Sequence, residues 1–114
     1  MIKDIFDLAK EVFDLASINK EVIASAESCT GGMLSSAITE IPGSSAIFEC
    51  GFVTYSNISK VKLLSVNENT LHYHGAVSEE VAGEMAIGAL NNSQASLAIS
   101  ITGIAGPGGS VKKP

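Results

Sequence analysis

No arginine occurs anywhere in this 114-residue sequence, and its seven positive charges are all lysines. That excludes a site that grips phosphate or carboxylate through the bidentate guanidinium fork. Any phosphate bound here has to be held by backbone N–H groups, hydroxyls and lysine. Positive charge is scarce overall, and the formal net charge of −5 excludes the broad basic face that nucleic-acid binding needs. Cys29 and Cys50 have no metal-ligand spacing and read as reduced thiols. His72 and His74 stand i, i+2 with no third ligand near in sequence, and read as loop residues rather than a metal site. No apolar run approaches the length of a membrane span. The opening Met1-Ile2-Lys3-Asp4-Ile5-Phe6-Asp7 carries acids where a secretion or transit signal would not, so a cytoplasmic protein is expected.

What is present suits one buried core: 46% apolar and 17% charged residues, with no linker to divide residues 1–114, which are expected to form a single domain. Residues 3–17 place Ile5, Leu8, Ala9, Val12, Phe13 and Ala16 at helical spacing, predicting an amphipathic helix with one face on the core. Residues 22–26 are small and β-branched, as a buried strand requires. A second helix carries Met33, Leu34, Ala37, Ile38 and Ile41 on one face and stops at Pro42-Gly43. Residues 47–55 read as a strand with Gly51 as a bulge, 57–64 as a short helix, and the stretch through Gly75 as a polar loop. Ser78-Glu79-Glu80 opens another helix with a capping hydroxyl and acids for its dipole, and 97–101 form a third strand. Strands alternating with helices predict a three-layer α/β/α fold with a mixed, mostly parallel sheet, although three strands make a thin one.

Three segments carry candidate chemistry. Glu27-Ser28-Cys29-Thr30-Gly31-Gly32 links a strand directly to a helix, where free backbone N–H groups form an anion site that Gly31 and Gly32 leave open to a ligand. Ser28 is either an N-cap or a site residue on this reading. Thr102-Gly103-Ile104-Ala105-Gly106-Pro107-Gly108-Gly109 is dense enough in glycine to wrap a phosphate or ribose, yet matches neither the dinucleotide fingerprint nor a P-loop. Thr54-Tyr55-Ser56-Asn57-Ile58-Ser59-Lys60 offers a lysine that can serve as a base once burial or a helix N-terminus disfavours its ammonium form. On spacing alone, Lys60 reads as a solvated surface lysine rather than as a base.

Taken in order, Ala26-Glu27-Ser28-Cys29-Thr30-Gly31-Gly32, Pro42-Gly43-Ser44-Ser45, Gly51-Phe52-Val53-Thr54-Tyr55-Ser56-Asn57 with Lys60, Gly75-Ala76-Val77-Ser78-Glu79-Glu80, Thr102-Gly103-Ile104-Ala105-Gly106-Pro107 and Lys113-Pro114 resemble the C-terminal domain family of competence/damage-inducible protein CinA. That family includes nicotinamide mononucleotide amidohydrolases of pyridine nucleotide metabolism. The resemblance implies hydrolysis of the nicotinamide amide to ammonia and nicotinate mononucleotide, with Ser28 as nucleophile, Lys60 as general base and Tyr55 helping proton transfer. It implies substrate contacts from Thr30, Gly31, Gly32, Thr102, Gly103 and Gly106, with backbone N–H groups at the Thr30-Gly31 helix start receiving the oxyanion, a role worth about 3–4 kcal/mol per donor. The chemistry calls for no metal or organic cofactor. The implied partner is a small-molecule nucleotide, not a nucleic acid or a membrane.

Members of that family continue past the Lys-Pro dipeptide with further strands, a closing helix and an arginine associated with the substrate site. The chain is therefore expected to be incomplete relative to its family, and an unpaired sheet edge predicts a homo-oligomer. Two other readings compete. One is a catalytically inactive nucleotide-binding or assembly module of the same fold. The other makes Cys29 the reactive group, because a helix N-terminus lowers a thiol's pKa.

Overall fold

The computed structural model describes residues 4–104. Along the chain run α1 (Ile5–Asn19), β1 (Ile23–Glu27), α2 (Met33–Thr39), a 3-10 turn (Ser44–Ala46), β2 (Phe48–Val53), α3 (Asn57–Leu64), α4 (Glu68–His74), α5 (Glu79–Asn91) and β3 (Leu97–Ile101). The strands lie in the order β2-β1-β3, and both pairings are parallel. Parallel neighbours must be joined by crossovers, and helices supply them here. β1 is central and buried throughout, which is why residues 22–26 read as small and β-branched without a polar, solvent-facing alternation.

Period-two alternation along β1 divides the core. Ala24 and Ala26 join Leu64 of α3, Val66, and Val81, Met85 and Ala89 of α5. Ile23 joins Ala16 of α1, Ile38 of α2 and Ile47 on the opposite face. The result is the three-layer α/β/α arrangement. The same alternation aims Ser25 and Glu27 at α2, and it sends the residue after Glu27 towards α3.

Five expectations are corrected. The polar stretch before Gly75 contains α4, whose start is capped by the Asn67 side chain accepting from the Asn69 N–H at 2.8 Å. His72 and His74 are therefore exposed helical residues, not loop residues. Among the α4 residues only Leu71 packs against the core, so the segment carries no periodicity to read. Gly51 is not a bulge, because the register irregularity falls at Glu49, where β1 partners step from Phe48 to Cys50. Glycine stands at 51 because α2 crosses close by: a Cβ there would lie 2.4 Å from Ser35 Oγ and 2.7 Å from Ser25 Oγ. Along α1 only Ala9 and Ala16 are buried, while Ile5, Leu8, Val12, Leu15 and Ile18 stay exposed, so the apolar face is only partly covered. Finally, Ser28 is not an N-cap. Gly32 occupies that position, and Ser28 lies four residues ahead of it in the preceding turn.

Candidate active site

Ser28 follows directly on β1 and is gripped from both sides. Its N–H donates to the Ile101 carbonyl of β3 (2.9 Å), and its carbonyl accepts from the Gly31 N–H (3.1 Å). The turn closes only because Gly31 and Gly32 adopt φ of 61° and 110°, conformations that side chains resist. Gly31 therefore spends its amide inside the turn. The amides of Cys29 and Thr30 have no acceptor among the described residues.

Lys60 comes from the first turn of α3. Ser56 caps this helix, its Oγ accepting from the Ser59 N–H at 3.1 Å. Helical side chains lean towards their N-terminus, so the lysine reaches back across that turn. Its Nζ donates to Ser28 Oγ at 3.0 Å, to the Thr54 carbonyl at 2.9 Å and to the Tyr55 carbonyl at 3.2 Å. The residue is 1% exposed and has no carboxylate partner among the described residues. Burial pushes the Lys60 ammonium below the ordinary lysine range. Lys60 is thus not a solvated surface lysine.

A cleft of about 310 Å³ opens over this pair, lined by Ser28, Tyr55, Lys60, Ala76, Thr102 and Gly103, among others. Tyr55 is 75% exposed, and its backbone carbonyl, rather than its phenol, accepts from Lys60. Thr102 Oγ1 donates to the Ala76 carbonyl at 2.8 Å, tying the end of β3 to the segment before α5. Gly103 packs on Cys29, with room for a Cβ only 3.3 Å from its sulfur. Thr30, Gly31 and Gly32 do not line the cleft, and the Thr30 hydroxyl turns instead to Glu27. Gly106 lies outside the described residues. Among the described residues, no group of three His, Cys, Asp or Glu could hold a metal ion, and no helix is long and apolar enough to cross a membrane.

Sequence reasoning gave Glu27 no role of its own. It is fully buried, and its carboxylate accepts four hydrogen bonds: from Thr30 Oγ1 (2.6 Å), the Leu34 N–H (2.9 Å), the Ser35 N–H (3.0 Å) and Ser35 Oγ (3.0 Å). Burial alone would raise its pKa, but these bonds hold it below the ordinary carboxylate value. The available signal was the Gly-Gly pair: a helix whose N-cap is glycine has no side-chain acceptor of its own, and a carboxylate must arrive from elsewhere.

A parallel sheet between helical layers, with a serine and a buried lysine meeting at the strand ends, defines a three-layer α/β domain with its cleft at the carboxyl edge. The chain belongs to the CinA C-terminal domain family, whose model matches residues 5–114. It is 52% identical over 112 residues to nicotinamide-nucleotide amidohydrolase PncC of Escherichia coli K12, covering 97% of this chain and 68% of that protein. It is 63% identical over 87 residues to a CinA-like protein of Chloroherpeton thalassium, covering 76% of this chain but only 21% of the relative. The crystal structure of competence/damage inducible protein CihA from Agrobacterium tumefaciens superposes with a TM-score of 0.93 at 47% identity, over 100% of this chain and 70% of that one.

Proposed function

We propose that this chain hydrolyses the carboxamide of nicotinamide mononucleotide to nicotinate mononucleotide and ammonia, with Ser28 as nucleophile and Lys60 as general base. The observation that carries the reading is the 3.0 Å contact between Ser28 Oγ and the Nζ of Lys60, a residue only 1% exposed and without a carboxylate partner among the described residues. In its neutral form the amine keeps two N–H groups for the Thr54 and Tyr55 carbonyls, which leaves its lone pair to accept the Ser28 O–H. Ser28 Oγ then bonds to the amide carbon as its proton passes to Nζ. Collapse of the tetrahedral intermediate breaks the C–N bond, and Lys60 returns the proton to the departing ammonia. Water, activated by the same amine, cleaves the acyl-serine. The amide of Cys29, which lines the cleft and has no acceptor among the described residues, suits the oxyanion better than that of Gly31, which is already engaged.

The names of the PncC relatives support this substrate class. The Lys60 hydrogen bond runs to Ser28 and not to Cys29, which favours the serine as nucleophile. The test is ammonia release from nicotinamide mononucleotide by the wild type, Ser28→Ala, Lys60→Ala and Cys29→Ala. Loss in the first two variants and retention in the third is expected. Turnover by Ser28→Ala would overturn the assignment, and calorimetric binding without wild-type turnover would mark a binding module instead. A homo-oligomer and a cytoplasmic location belong to the same proposal. Association would cover the exposed apolar residues of α1, and sedimentation velocity across a concentration series would detect it.

A further inference from the structure

We infer that Glu27 is a positioning residue for the Ser28–Lys60 pair, acting through Thr30 to hold the serine turn on the head of α2. This rests on the amidohydrolase reading above. Glu27 is the last residue of β1 and Ser28 is the next, so whatever anchors the Glu27 side chain fixes the point from which the serine turn departs. One carboxylate oxygen takes the Thr30 hydroxyl and the Leu34 N–H, and the other takes the Ser35 N–H and hydroxyl. The carboxylate therefore performs two tasks. It replaces the missing side-chain cap of α2 by accepting from two of its first-turn amides, and it closes the turn 27–30 from within. The chain of bonds continues from Ser35 Oγ to Ser25 Oγ at 2.8 Å, beneath the bare Cα of Gly51. Glu27 touches neither the cleft nor Lys60. The Thr30 hydroxyl, expected from the family resemblance to contact substrate, is committed to this carboxylate.

The arrangement is specific for an ionised acid. In Glu27→Gln either orientation of the amide turns an NH₂ group towards a backbone N–H, of Leu34 or of Ser35, and a backbone donor cannot rotate away. Thr30→Val is milder: it deletes only the hydroxyl that links carboxylate to turn, on a half-buried residue outside the core.

The experiment compares wild type, Glu27→Gln, Thr30→Val and Thr30→Ser for kcat and KM on nicotinamide mononucleotide. Circular dichroism and urea unfolding report the folded fraction. Positioning predicts that kcat per folded molecule falls at least tenfold in Glu27→Gln and several-fold in Thr30→Val, with KM within about twofold of wild type, and that Thr30→Ser restores most of it. A raised KM with unchanged kcat in Thr30→Val would make Thr30 a substrate contact and overturn the inference. Lowered stability with unchanged kcat per folded molecule would reduce Glu27 to a structural cap and also overturn it. A second readout, independent of the substrate, is the rate at which a fluorophosphonate probe labels Ser28, followed by intact mass. If the wild type labels but releases no ammonia, the amidohydrolase reading fails while the labelling rates of the variants still decide the role of Glu27. If wild-type Ser28 does not label at all, there is no activated serine to position and the inference falls. Should Glu27→Gln fail to fold, the Thr30→Val and Thr30→Ser pair carries the decision.

Discussion

Gly88 of α5 and the Leu64 carbonyl at the end of α3 are in such close contact that a Cβ on Gly88 would lie 2.0 Å from that oxygen. Leu64 ends the helix whose first turn carries Lys60, so this backbone-to-backbone contact sets the height at which the lysine meets Ser28. Gly88→Ala is expected to cost about 1–3 kcal/mol through overpacking and to lower kcat by displacing α3. Gly83, on the same helix, faces open space. Gly83→Ala should therefore stabilise by about 0.5–1 kcal/mol. Urea unfolding of the two variants checks the contrast, and equal effects would refute the packing argument.

Lys60 predicts a pH dependence of definite sign. Its folded-state pKa lies below the ordinary lysine value because burial disfavours the ammonium. At low pH the folded protein carries the full penalty of a buried charge. Between the folded pKa and the unfolded value of about 10.4, the unfolded chain binds more protons, so stability rises with pH through that window. The same titration should give kcat/KM an ascending limb with its midpoint below about 10.4. Lys60→Arg, which cannot deprotonate, should lose both the limb and the activity. A limb retained in Lys60→Arg would assign the base elsewhere.

The two glycines that shape the serine turn differ in what they tolerate. Gly31 sits in the left-handed helical region at φ 61°, where a non-glycine residue costs about 1–2 kcal/mol and asparagine is the mildest substitute. Gly32, at φ 110°, lies outside that region and should lose more stability on conversion to alanine. Thermal and urea unfolding of Gly31→Asn, Gly31→Ala and Gly32→Ala should rank in that order of increasing damage. Any other ranking contradicts the turn geometry.

Ser78 accepts from the Val81 N–H at 3.2 Å while donating to the Gly75 carbonyl at 2.8 Å, so one hydroxyl both caps α5 and closes the turn before it. Ser78→Ala should cost about 1 kcal/mol, near the middle of the range for lost N-caps. Ser78→Asp keeps the acceptor but not the donor and should recover part of that loss. Urea midpoints at neutral pH measure both.

Much of this could be read in the chain order of the residues. The buried β1, the cap at Ser78, the stop at Pro42-Gly43 and β3 at 97–101 follow from local composition, because burial on both faces, hydroxyl capping and backbone restriction each act within a few residues. α4 was hidden for the converse reason, since its single packed side chain, Leu71, leaves no period to detect. The sequence by itself determined the alternation of strands and helices and the motif in which Ser28 stands. Only the tertiary structure decided what Ser28 and Lys60 are to each other. They are separated by 32 residues and brought within 3.0 Å because β1 lies beside β2 and α3 covers the face towards which Ser28 turns. It also decided that Glu27, an acid in a fully buried strand, is satisfied by the head of the next helix. A carboxylate's burial is tolerable only when donors surround it, and those donors lie up to eight residues further along the chain.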